Sequence, residues 1–246
     1  MIFERKWWKR MYNILNWNTG LTEHKEESKD YIKIIEYVKV FLQKENAIAV
    51  LQQIPYKVKI SDNEWKLTHV YEYILEICKE NEYTIVCNNT YNGGYIFMQT
   101  IIITNIKTLS EIDNNIYPNG CKTNREAAIK IEDSYSILGL HAKNGKYNLP
   151  YIQSINENAD IILGDFNAGD YLKYPHRESF RNILPSHVCI CNVPTKRVED
   201  KMGNIIRETC IDHVFVRREY ITKCSNVIVH NENKMSDHYP ITFCIK

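Results

Sequence analysis

The sequence predicts an α+β protein in which two packed sheets carry helices on their outer faces. Three observations predict it. Strands come in runs, about ten in all, with only a few helical stretches between them. The chain has 246 residues and is 44% hydrophobic, enough for a sizeable core in one domain. No internal repeat or low-complexity linker divides it, so a single domain over 1–246 is expected.

The elements follow in order. YNILNW (12–17) reads as a first strand. EESKDYIKIIEYVKVFLQKE (26–45) has apolar residues at 31, 34, 35, 38, 41 and 42, the spacing of a helix that starts near Ser28. AIAVLQQ (47–53) is a short apolar strand, and WKLTHVYEYILEICKEN (65–81) returns to helical spacing. YTIVCNN (83–89), GYIFMQTIIITN (94–105), AAIKI (127–131) and YSILGLHA (135–142) read as strands, with Pro118 and Gly120 marking a loop around 105–124. Helices are expected near 147–157 and 176–184, either side of the strand ADIILGD. VCICN, IDHVFVRR and PITFCIK supply the last strands, and 194–209 reads as a long polar loop.

Composition narrows the function classes. The formal net charge is +1, from 31 basic and 30 acidic residues, which argues against a strongly basic nucleic-acid binder but leaves room for a local basic groove. The eight cysteines include no CxxC pair, so a zinc site is poorly supported. Most sit among apolar neighbours, where a reduced thiol acts as a small hydrophobe. MIFERKWWKRMYNIL lacks the apolar stretch of a signal peptide, and no run approaches a membrane span of about 20 residues. The expectation is a soluble, cytoplasmic protein.

Polar residues recur at strand ends. IILGDFN runs from an apolar strand through Gly164 to Asp165 and Asn167. Asn18 follows ILNW, Gln53 ends AVLQQ, and His141 ends SILGLH. Asp212 opens IDHVFV, Asp237 and His238 precede PITFCI, and Arg125 stands just before AAIKI. Strand ends suit functional groups, because the sheet fixes them while loops admit a ligand. Taken alone, each has an ordinary reading: Asn18 as a turn residue, Asp165 with Asn167 as an Asx turn, Asp237 as a solvated acid, His141 as a satisfied histidine, Arg125 as a surface charge. Asp212 is less ordinary at the start of an apolar strand. The remaining histidines, His24, His69, His176, His187, His213 and His230, read as structural or surface residues.

Together, ILNWN, LQQ, LGLHA, GDFN, IDHVFV and SDHYPI resemble, in order, the endonuclease/exonuclease/phosphatase superfamily. The resemblance runs from residue 12 to the end of the sequence, and GDFN and SDHYPI are its specific signals. NREAAIKIEDSYSILGLHA resembles the segment where the deoxyribonuclease I and cytolethal-distending-toxin branch carries an arginine and a histidine. The resemblance implies a four-layer α/β/β/α sandwich of two mainly antiparallel sheets, with the active site at one end. It also implies a divalent-metal-dependent phosphodiester hydrolase, above all a deoxyribonuclease I-like endonuclease, using Mg2+ or Mn2+ on nucleic acid or another phosphodiester. Asn18, Gln53 and Asp237 would hold the metal. Asp165 and Asn167 would orient the water and the phosphate, and Asp212 and His238 would pair for proton exchange. His141 would act as second imidazole, and Arg125, with Asn167, would bind phosphate. Phosphodiester cleavage needs such parts: positive charge on the non-bridging oxygens, an activated water and an acid for the leaving oxygen.

Two departures stand out. Gln53 occupies the place of the family's metal-binding glutamate, and offers a carbonyl oxygen without charge. Three explanations stay open: a native glutamine with activity kept at higher metal or by another acid, a substitution introduced to trap a ligand, or a binding module that has lost catalysis. Secondly, Gly93 and Gly94 stand where the branch has an acid supporting the first histidine, so His141 either lacks a carboxylate partner or takes one such as Glu132 or Asp133. Substrate is the least specified feature. Short basic loops (122–125, 141–146, 173–177 and 195–197) are candidates for gripping nucleic acid. For a lipid or inositol-phosphate alternative, whose membrane-acting relatives expose an aromatic hairpin, Trp7 and Trp8 are the hydrophobic pair that stands out, and they read more readily as packing on the sandwich edge.

Overall fold

The structure, a computed structural model, describes residues 10–21, 31–61, 64–88, 96–170 and 183–246. Trp7, Trp8, His24, Ser28, Gly93, Gly94, the 173–177 loop, His176 and most of the helix expected at 176–184 lie outside the described residues.

The described strands in chain order are β1 (Tyr12–Asn18), β2 (Ala47–Ser61), β3 (Glu64–Leu67), β4 (Thr84–Cys87), β5 (Ile96–Thr104), β6 (Leu109–Ser110), β7 (Glu126–Ile131), β8 (Ser136–His141), β9 (Ile161–Asp165), β10 (His187–Cys189), β11 (Lys196–Glu199), β12 (Ile205–Thr209), β13 (Asp212–Arg217), β14 (Cys224–Val229) and β15 (Ile241–Ile245). The described helices are α1 (Tyr31–Leu42), α2 (His69–Glu80) and α3 (Asn148–Gln153). One sheet has the order β14-β15-β1-β2-β5-β4, with β3 paired to β2. The other runs β10-β13-β9-β8-β7-β6, and β11 and β12 form a separate ribbon.

Each large sheet contains one parallel pair, β1–β2 and β8–β9, and the other pairings are antiparallel. A parallel pair needs a crossover connection; α1 lies between β1 and β2, and α3 between β8 and β9. Alternation along each strand splits its side chains between two environments. Ile14, Val50, Ile102, Ile129, Leu163, Val214 and Phe243 fill the space between the sheets. Leu15, Trp17, Ala49 and Leu51 pack against Ile34, Val38 and Ile74 of α1 and α2. Leu138, Ile162 and Phe215 pack against Tyr151 and Ile152 of α3. These three cores make the four-layer sandwich that the sequence predicts.

Three expected elements change. The strand expected to end at Gln53 runs on to Ser61, because β2 absorbs one extra residue as a bulge: the register against β5 shifts between Leu51 and Ile54, and Gln53 takes φ 58°. The helix expected over 65–81 starts only at His69, where Thr68 caps it by accepting from Tyr71 N, and Trp65 belongs to β3 instead. The expected loop 194–209 is the β11–β12 ribbon. Among the described residues no helix is long and apolar enough to cross a membrane.

Candidate active site

The two parallel pairs carry their carboxy-terminal groups to the same end of the sandwich. In the first sheet Asn18 stands opposite Gln52; in the second His141 stands opposite Asp165, and Asp212 opens β13 opposite Asp165. Alternation points Asn18, His141, Asp165 and Asp212 into the space that Ile14, Ile137, Leu163 and Val214 fill further down. Gly164 makes the approach feasible: its φ is +148°, and a Cβ there would lie 1.9 Å from Leu140 O.

Asp165 is the hub. Its Oδ2 accepts from Asn18 Nδ2 at 2.8 Å and its Oδ1 from Asn167 N at 2.7 Å. Asn167 adopts φ 50°, the left-handed turn that asparagine tolerates, and its Nδ2 donates to Ala142 O at 3.0 Å. His141 Nε2 and His238 Nε2 stand 3.7 and 3.8 Å from Asp165 Oδ2, beyond hydrogen-bond reach. His238 Nδ1 bonds Asp212 Oδ1 and Oδ2, each at 2.9 Å.

Burial sets the charges. Asp165 is 1% exposed, and desolvation pushes its carboxyl up to about 6 against the pull of His238. Burial by itself would depress His238, but the Asp212 and Asp165 carboxylates more than reverse it, so this imidazole holds its proton above the ordinary range. His141 has burial against it first, then the charge of Arg125, and falls to about 3: it is a neutral imidazole at neutral pH. Glu132 and Asp133 do not support it. They lie in the turn before β8, at the opposite end of the strand that His141 terminates, and the carboxylate beside His141 is that of Asp165. Arg125 Nη1 donates to His141 O at 3.0 Å and Ala142 O at 3.3 Å, so part of the guanidinium expected on phosphate anchors the end of β8 instead.

The three residues expected at a metal are placed less uniformly. Asn18 is fully buried, with its Nδ2 on Asp165 and its Oδ1 accepting from Gly20 N at 3.1 Å. Gln53 sits half-buried on the β2 bulge, and its backbone carbonyl accepts from Thr19 Oγ1 at 3.4 Å. Asp237 stands at the rim, its side chain 48% exposed, with Lys196 Nζ 3.2 Å from Oδ2. A tighter donor set lies deeper: Asp165, Asp212 and His238 each offer a ligand atom, all within 4.8 Å of one another. The two carboxylates suit a hard divalent cation; an imidazole suits transition metals better, and the carboxylates beside His238 favour its protonated form, which cannot ligate.

Several supporting residues escaped the sequence reading. Thr195 Oγ1, fully buried, accepts from Ile211 N at 3.1 Å and Asp212 N at 3.0 Å, while Thr195 O accepts from Tyr239 N at 2.7 Å. Trp17 Nε1 donates to His238 O at 3.0 Å, and Ser236 Oγ donates to Asn18 O at 2.9 Å. Thr195 and Lys196 were visible only as part of a short basic loop, TKR.

No protein-family model and no curated protein matches the sequence. Solved structures do. The endonuclease domain of TRAS1, a telomere-specific non-LTR retrotransposon, is 16% identical with TM-score 0.62, covering 96% of this chain and 98% of that one. An endonuclease/exonuclease/phosphatase family protein from Leptotrichia buccalis is 17% identical with TM-score 0.61 over 96% and 99%. TDP2 of D. rerio, complexed with single-strand DNA product, is 12% identical with TM-score 0.61 over 96% and 99%. The layers, the mouth at the strand ends and these likenesses lead to one structural conclusion: the chain has the endonuclease/exonuclease/phosphatase fold.

Proposed function

We propose that this chain hydrolyses phosphodiesters with the help of a divalent metal, Mg2+ or Mn2+, and that its substrate is nucleic acid. The observation that carries the reading is the Asp212–His238 pair set against the raised Asp165 carboxyl, at the strand ends of the sandwich. Strongly shifted carboxyl and imidazole groups gathered in one mouth mark a proton-transfer site. Similar folds in nucleases, and DNA product in the TDP2 structure, support the choice of substrate.

Each residue then has a role. Asp212 holds Nδ1 of His238, which leaves Nε2 as the atom that exchanges a proton. Asp165, gripped by Asn18 and Asn167, orients the attacking water. His141, neutral, donates or accepts a hydrogen bond at the phosphate rather than delivering a proton. Arg125 fixes the His141 loop and turns its remaining N–H groups to a phosphate oxygen. A divalent ion held by Asn18, Gln53 and Asp237 would supply charge to the non-bridging oxygens.

The test is a panel of plasmid, single-strand oligonucleotide, RNA, phosphorylated lipids and inositol phosphates, run with Mg2+, Mn2+ and EDTA. Cleavage of a nucleic acid that EDTA and His238→Ala both abolish is expected. Absence of cleavage of any nucleic acid across a manganese titration would overturn the reading. A second reading, a binding module that keeps the mouth without the reaction, is favoured by the neutral Gln53 and the Lys196–Asp237 pair. It expects tight oligonucleotide binding with no turnover, even in Gln53→Glu.

A further inference from the structure

The ribbon that follows Pro194 brings a cation into the mouth. Thr195 O accepts from Tyr239 N and Arg197 N donates to Asp237 O at 2.9 Å, so 195–197 run antiparallel to 237–239, with Lys196 opposite His238. Residues directly opposite in such a pair project to one face. The Lys196 side chain is only 26% exposed, and its Nζ lies on Asp237. Its charge reaches both imidazoles, lowering the proton affinity of His141 and of His238. The ammonium is thus placed among the reacting groups, next to a rim carboxylate that is half exposed. Gln53, at a position expected to help hold a metal, contributes no charge. A lysine and an arginine beside the buried histidines suit an anion better than a neutral glutamine and a lysine-paired aspartate suit a divalent cation.

We infer that Lys196 is a phosphate-binding residue of this site, a cation built into the chain that engages a phosphodiester oxyanion and competes with a divalent ion for Asp237. The inference rests on the phosphodiester reading above. An ammonium has three N–H donors and no fixed fork, so it can pass from a carboxylate to a phosphate oxygen without rebuilding the ribbon.

Two binding equilibria on the whole chain test it. Inorganic phosphate is titrated in EDTA and followed by phosphorus NMR line broadening; Mn2+ is titrated without phosphate and followed by calorimetry. Lys196→Met, which keeps the stem and removes the charge, should lose about tenfold in phosphate affinity, the worth of one charged hydrogen bond, and should bind Mn2+ more tightly. Lys196→Arg should keep phosphate binding, and Lys196→Gln serves if the methionine variant fails to fold. Unchanged phosphate affinity, or unchanged Mn2+ affinity, in a folded neutral variant overturns the inference. Its failure is separable from that of the hydrolase reading. An inert chain that binds phosphate through Lys196 would sink the latter alone, and an active enzyme indifferent to Lys196→Met would sink this one alone.

Discussion

The two sides of the mouth hold related groups in different states. On the deep side, Asp165 and Asp212 of the second sheet are 1% exposed, His238 from the β14–β15 connection is 2% exposed, and both Asp165 oxygens accept a hydrogen bond. On the other side, Gln53 is neutral and Asp237 stands half exposed with a lysine on it. The cause lies in the supporting backbone. Asp165 and Asp212 sit in the ladder of two paired strands and Asp212 fixes His238, whereas Gln53 sits on a bulge and the half-exposed Asp237 side chain leaves the connection that also carries His238. A ladder fixes a side chain to within the tolerance that proton transfer needs. A bulge and a connection leave cation affinity free to vary. The buried side therefore sets the chemistry and the exposed side sets the metal requirement.

The largest expected effect breaks this contrast if it fails. Asp165→Asn and His238→Ala should each lower kcat/KM on an oligonucleotide about a thousandfold, whatever the Mn2+ concentration. Asp237→Asn should cost about tenfold, and raised Mn2+ should recover it. Equal, unrecoverable losses at Asp165 and Asp237 would abolish the distinction.

Next comes stability, measured by urea unfolding in EDTA. A carboxyl raised from 3.8 to about 6 binds more protons folded than unfolded between those values, so its contribution to stability falls as pH rises through that window. Above pH 6 the ionised, buried Asp165 remains a cost. Asp165→Asn should accordingly be more stable than the parent by about 1–3 kcal/mol at neutral pH, with no advantage below pH 3.8. One amide N–H will face the Asn18 donor, which holds the gain to the lower part of that range. A destabilised variant at pH 7 would mean that the carboxylate is held by its partners and not strained by burial.

Thr195 sharpens the comparison from the opposite direction, since it joins the two sides: its hydroxyl holds the backbone of Asp212 and its carbonyl the residue after His238. Thr195→Val takes this acceptor from the N–H groups of Ile211 and buried Asp212 and should lower stability by about 1–2 kcal/mol, with Thr195→Ser restoring it. The pH profile of cleavage should move as well, because the Asp212–His238 distance depends on this anchor.

How much of this was legible before folding depends on the range of the information. That Asn18, His141, Asp165 and Asp212 stand at strand ends was legible because strand alternation is local, whereas grouping them with Asn167 and His238 in one candidate site came from the resemblance of the ordered motifs. Lys196 and Thr195 were not legible. Their ribbon is mostly exposed, with Ile206 at 65% and Met202 at 83%, so no period of two separates inside from outside. The bulge at Gln53 was not legible either, since a register shift belongs to the pairing of β2 with β5. Glu132 and Asp133 show the complementary error. They are close to His141 in sequence, but six residues of extended strand put about 17–20 Å between the ends of β8.

The smallest effect tests whether the exposed side is tunable. Gln53→Glu adds a carboxylate at a position expected to hold the metal, and an added negative charge near a hard cation should tighten Mn2+ about tenfold by calorimetry. The bulge favours this outcome over a rebuilt strand, since the left-handed φ of residue 53 is already accommodated and glutamate has the same shape as glutamine. The competing outcome is that Lys196 captures the new carboxylate, which would leave Mn2+ affinity unchanged. A double-mutant cycle separates them. If the carboxylates act directly on the ion, Gln53→Glu and Lys196→Met should each tighten Mn2+ and their effects should add. If the lysine takes the added charge, Gln53→Glu should be silent alone and should gain its effect only beside Lys196→Met. Additivity would leave Lys196 as a competitor for Asp237 alone; strong coupling would make it the counter-charge of the whole exposed side.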